Sequence, residues 1–151
     1  MLIDIDRNAC YSGIVEHVPS KCPECGNLMA NMGLDFESPK KSDSKAWSHM
    51  QNLYESGITY HSCGCSGPGY IPKDKEKIVA FLNERKSEYI EHRRFWSNRI
   101  QTQNESKKNK DWSKNSRFLF ALPKNKVNNV EAVKYWAEKI HELENRLEKL
   151  K

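Results

Sequence analysis

A chain of 151 residues, 30% charged and 37% apolar with a mean hydropathy of −0.86, has room for one ordinary domain or for a small domain with a helical extension. That polarity favours much exposed surface over one large core. No apolar run approaches the roughly 20 residues that span a bilayer, and acids (Asp4, Asp6) stand where a secretory signal would be basic, so the sequence predicts a cytoplasmic protein with reduced thiols and no membrane partner.

The net charge of +5 is unevenly spread. Residues 1–72 carry five Lys/Arg against eight Asp/Glu, residues 73–117 thirteen against seven, and residues 118–151 seven against five. A nucleic-acid footprint needs clustered cations to displace counterions from phosphates, so it belongs to the middle segment.

In chain order, Ile3, Ile5, Ile14, Val15 and Val18 predict one or two short strands, with Cys10 among them. Cys22-Pro23-Glu24-Cys25 follows, and Gly26 suits the tight turn after it. Leu28 to Phe36 reads as a strand with a bend marked by Gly33, ended by Ser38-Pro39-Lys40-Lys41. A short helix comes next: Ser42, Asp43 or Ser44 can cap it, Ala46, Trp47, Met50, Leu53 and Tyr54 share one face, and Gly57 stops it. Ile58 to Ser62 is a β-branched and aromatic run leading into Cys63-Gly64-Cys65.

After Pro72 the character changes. Ile78, Phe81, Leu82, Tyr89, Trp96 and Ile100 mark an amphipathic helix over about 74–104, with no Pro or Gly to interrupt it. Residues 105–122 lack apolar periodicity and read as a flexible basic loop. Val133, Trp136, Ile140, Leu143, Leu147 and Leu150 then form a heptad seam over about 129–151, with Asn128 or Asn129 as cap. Antiparallel pairing with the 74–104 helix is the favoured arrangement, and homodimerisation the alternative.

Two thiolate pairs on short turns are what a tetrahedral Zn²⁺ site requires, and Cys22, Cys25, Cys63 and Cys65 are the candidate ligands. Four thiolates leave no open position for water, so the metal would be structural. This spacing resembles the broad class of zinc ribbons and zinc knuckles, over residues 20–70 at most, although Cys-x-Cys departs from the usual second Cys-x-x-Cys. The resemblance implies an α+β zinc-ribbon-like domain, residues 1–72, with a helix inserted between its halves and a helical arm, residues 73–151, beyond it. It also implies nucleic-acid or protein partners and no activity.

No phosphate-cradling loop, nucleophile elbow or metalloprotease motif is present. Cys10 reads as a buried small hydrophobe or an idle thiol rather than a nucleophile with His17 or His49 as base. Of the scattered histidines (His17, His49, His61, His92 and His141), His49 and His92 read as packing or surface groups, and His61 is the alternative to one thiolate in the metal site. Asp4 with Asp6 lacks a third acid for a metal. The chain therefore reads as a non-enzyme.

Cations interleave with aromatics at Arg93-Arg94-Phe95-Trp96, Arg99, Lys107, Lys108, Lys110, Trp112, Lys114 and Arg117. Cations grip phosphates and exposed rings stack on unpaired bases, so these are the candidate contacts to DNA or RNA. The competing reading is a solvated helix face with Trp96 in the core, the acids Glu84, Glu88 and Glu91 diluting the patch. The leading expectation is a non-catalytic zinc-binding module that associates with nucleic acid or a nucleoprotein complex. The alternative is an adaptor or inhibitor that docks on a protein and self-associates through its last helix.

Overall fold

The computed structural model describes residues 20–60, 67–100, 105–119 and 128–151. They form four helices, α1 Ser44–Glu55, α2 Lys75–Asn98, α3 Glu105–Leu119 and α4 Asn129–Lys149. No sheet exists among the described residues; the β structure there is one antiparallel bridge, Lys21↔Leu28. The α+β zinc-ribbon-like fold expected from the cysteine spacing is therefore overturned in favour of a mostly helical one.

The physical reason lies at Gly33. It adopts φ +99°, and Asn31 Oδ1 accepts its N–H at 3.0 Å, so the bend expected there is a full turn and no strand continues through it. The two expected strands still touch. Tyr60 N–H donates to Met32 O at 2.6 Å and Asp35 N–H to Tyr60 O at 3.2 Å, but these isolated bonds do not extend into a ladder. The strands expected within residues 1–19 and the end of the 58–62 run lie outside the described residues.

The chain divides into two compact units, one ending at Ile78 and including Leu150, the other running from Val79 to Lys149 with Lys151. In the first, α1 is specified by its ends. Asp43 Oδ1 accepts the Ala46 N–H at 3.0 Å as N-cap. At the other end Gly57 sits at φ +72°, donating to Tyr54 O, while Ile58 donates to Leu53 O, both at 2.9 Å. These two bonds make a Schellman motif, and the Leu53 and Ile58 side chains that accompany it are both buried. Trp47 and Tyr54, placed on the same stripe by the sequence, remain 41% and 49% exposed. Met32, Leu53, Ile58, Pro72 and Ile78 form the small set of buried residues from this part of the chain.

In the second unit α2 and α4 run antiparallel. Lys86 Nζ meets Glu144 Oε1 at 2.7 Å, Tyr89 and His92 pack on Trp136, and the Asn129 amide donates to the Arg99 carbonyl. Asn128 caps α4 by accepting the Val130 N–H. Of the heptad seam, Trp136, Ile140 and Leu143 are buried in this unit. Trp96, Ala132, Tyr135 and Trp136 form the core, flanked by Tyr89, Phe95, Leu119 and Val133.

The segment expected as a basic loop, 105–122, is instead α3 through Leu119, kinked at Asn115 where φ/ψ is −119°/22°. Its packing face is largely polar, which hid it from a search for apolar periodicity. Asp111 accepts from the Arg99 guanidinium, Asn115 Nδ2 donates to Asp111 at 2.6 Å, and Phe118 stacks on Phe95 at 4.4 Å and 11°. With Arg117 near Glu91, these pairs make α3 antiparallel to α2 as well.

The Asp111–Arg99 pair is mostly buried, the two side chains being 24% and 16% exposed. The guanidinium hydrogen bond, then the Asn115 amide, holds the Asp111 carboxyl below its usual range against the opposing effect of burial. A depressed carboxyl contributes stability that is present above its unfolded value, about 3.9, and lost as pH falls through its folded value. Asp111→Asn should thus lower stability at neutral pH by about 1–3 kcal/mol and flatten the loss on acidification. Urea unfolding of both proteins at neutral and acid pH checks this, and parallel pH curves would contradict it.

Candidate nucleic-acid interface and cysteine knuckle

The cation-rich segment folds into two helices, and helical geometry sorts its members. Lys107, Lys110 and Lys114 recur at spacings of three and four along α3, so they share one side of it, and all three are exposed. Arg117 continues the spacing beyond the kink. It lies 3.8 Å from Glu91, which places this side next to the Glu91 face of α2. Arg94, three residues on from Glu91, shares that face and is exposed. Arg94, Lys107, Lys110, Lys114 and Arg117 therefore form one cationic side of the α2–α3 pair. Two acids border this side: Asp111, four residues on from Lys107 and three before Lys114 but held by Arg99, and Glu91, which is in an exposed pair of the kind that contributes little and exchanges readily.

Other predicted contacts fall elsewhere. Arg93 is about 100° round α2 from Arg94 and acts on Glu144 of α4. Arg99 is committed to Asp111, with its guanidinium 4.8 Å from the centre of the Trp96 ring. Trp112 is 47% exposed, but it lies two residues from both Lys110 and Lys114, about 200° round α3 and so on the opposite side. Lys108 belongs to α3, and its side chain lies outside the described residues.

The first cysteine pair forms a compact turn. Cys22 N–H donates to Asn27 O at 2.8 Å, Gly26 N–H donates to Cys22 O at 2.9 Å, and Met29 N–H donates to Ser20 O at 2.9 Å. Gly26 takes φ +70°, and a Cβ there would meet nothing within 4 Å. Glycine suits the position for that backbone angle rather than for lack of space. The Cys22 thiol is pushed below its ordinary value by the backbone N–H of Cys25, then that of Glu24, then the Cys25 side chain. Amides directed at a sulfur favour the thiolate, the form that binds metal. Both cysteines are free thiols, Cys25 exposed and Cys22 half-buried. They suit half of a tetrahedral thiolate site.

Cys63, Cys65 and His61 lie outside the described residues, and no group of three or more His, Cys, Asp or Glu among the described residues could hold a metal. Cys10 and His17 also lie outside them. His49 Nε2 sits 3.0 Å from the Pro72 carbonyl, His92 packs between Phe118 and Trp136, and His141 is on the surface. No helix among the described residues is long and apolar enough to cross a membrane.

A comparison with known families, curated proteins and solved structures finds no match for this chain.

Proposed function

We propose that the chain is a non-catalytic nucleic-acid-binding module that works in a compartment where thiols stay reduced. The observation that carries this reading is the clustering of Arg94, Lys107, Lys110, Lys114 and Arg117 on one side of α2 and α3, with Glu91 and the Arg99-held Asp111 the acids beside them. In a segment of thirteen Lys/Arg and seven Asp/Glu, several acids are drawn off into pairs elsewhere: Asp74 with Lys77, Glu88 with Arg85, Asp111 with Arg99. The exposed cationic side is consequently more positive than the sequence average.

In this reading Cys22, Cys25, Cys63 and Cys65 hold a structural Zn²⁺ that secures the first unit. The amide-supported Cys22 thiol and the turn at Gly26 support it. The rival is a protein partner, and its support is the apolar surface of the first unit: Leu34 is 90% exposed, Leu28 69% and Tyr70 58%.

Zinc-loaded protein titrated with random-sequence DNA and RNA over a salt series decides between them. Each phosphate contact should contribute about −0.9 to the slope of log affinity against log salt for duplex DNA, and the exposed cations here predict a slope of about −4. No binding at low salt would refute the nucleic-acid reading and turn attention to the apolar surface.

A further inference from the structure

Resting on the nucleic-acid reading, we infer that the ligand is double-helical and is gripped along its phosphates by α3, with no base stacked on a protein ring. Single-strand grooves combine cations with exposed aromatics on which successive bases stack. Here no ring of the cation-rich segment stands open beside the lysines: Phe118, the ring next to the row, lies 5.8 Å under the Arg117 guanidinium and is covered by Phe95. Trp96 is buried at 2% exposure, and Phe95 and Phe118 are stacked on each other in the α2–α3 contact. Trp112 emerges on the far side of α3 from Lys110 and Lys114.

What remains is a row of charge. Lys107, Lys110, Lys114 and Arg117 extend over ten residues, about 15 Å of helix rise. A duplex presents one phosphate charge per roughly 1.7 Å of axis, on two strands flanking a groove about 12 Å wide that admits an α-helix. Asn109 and Ser113, exposed on the same helix, are small enough to allow a backbone to approach closely. The row is also preformed. Arg99–Asp111 and Phe95–Phe118 hold α3 on α2, so little ordering entropy opposes binding to a rigid partner. A flexible single strand would have to order itself along the row without stacking in return.

The test is fluorescence anisotropy of the full zinc-loaded chain with a random-sequence DNA duplex and with each of its strands alone, between about 50 and 200 mM salt. The duplex should bind about tenfold tighter than either strand. The combined Lys107→Gln, Lys110→Gln, Lys114→Gln variant should reduce the duplex slope by nearly three, and Trp112→Ala should change neither affinity. Equal or tighter binding of a single strand overturns the inference, as does a loss of about tenfold on Trp112→Ala, the size expected of a stacked base. In both cases the proposed function survives. Absence of binding to any of the three overturns that function itself, and this inference with it.

Discussion

Trp136→Ala is expected to destabilise the second unit by about 3–5 kcal/mol, the range for deleting a large buried aromatic. Trp136 is 4% exposed and touches a ring on almost every side. His92 stacks on it at 4.4 Å and 25°, Tyr89 lies at 5.2 Å and Tyr135 at 5.1 Å, linking α2 to α4 through one side chain. Removing the indole leaves a cavity among these rings, and its cost adds to the lost burial. Whole domains are stable by only about 5–15 kcal/mol, so a large fraction of α2–α4 should be unfolded at modest urea. Far-UV circular dichroism in urea reads this directly. Val130→Ala, at a site 75% exposed on the same helix, should stay within about 0.5 kcal/mol. Equal shifts for the two variants would mean that the α2–α4 contact is not centred on Trp136.

The second large effect is that of metal. The hairpin bearing Cys22 and Cys25 has one bridge and almost wholly exposed side chains from Ser20 to Asn31. A lone hairpin is marginal in water, and the nearest buried apolar residues in the chain are the few of the small first-unit core. A structural Zn²⁺ contributes apparent free energies of about 10–16 kcal/mol in zinc-finger peptides at neutral pH, far more than that core could supply. Chelation, or Cys25→Ser, should therefore abolish amide protection around residues 20–36 while leaving that of α2 and α4 intact. Cobalt substitution supplies the independent readout, a spectrum of four thiolates that disappears with any of the four cysteines. Unchanged protection after chelation, or a cobalt spectrum indifferent to Cys63→Ser, would remove the metal from the account.

Much of the helical structure was legible because its signals are local. Asp43 and Gly57 delimit α1 as caps do anywhere, and the spacing from Val133 to Leu150 fits one face of α4. The antiparallel α2–α4 pairing was the favoured arrangement for two long helices that each carry an apolar stripe. Local signals failed where geometry came from distant polar partners. Nothing near Asp111 or Asn115 in sequence announces that Arg99 will anchor them, so α3 looked like a charged loop. The strands failed for the reverse reason. Leu28 to Phe36 has strand-like composition, but the Asn31–Gly33 turn overrides it. Of the candidate interface, the charge was legible and its arrangement was not. The interleaving of Trp96 and Trp112 with cations suggested exposed rings for stacking, and the fold instead buries Trp96 against the Arg99 guanidinium and puts Trp112 on the side of α3 away from Lys110 and Lys114.

Arg99 links the end of α2, the middle of α3 and the start of α4. Its side chain holds α3, its carbonyl accepts the Asn129 amide at the start of α4, and it follows directly on the end of α2. Helix ends ordinarily fray independently, each with its own small opening free energy. Here one residue satisfies groups on all three helices, so opening at any one of these places weakens the others. Hydrogen exchange at the end of α2, the middle of α3 and the first turn of α4 should accordingly proceed as one cooperative event rather than as three separate gradients.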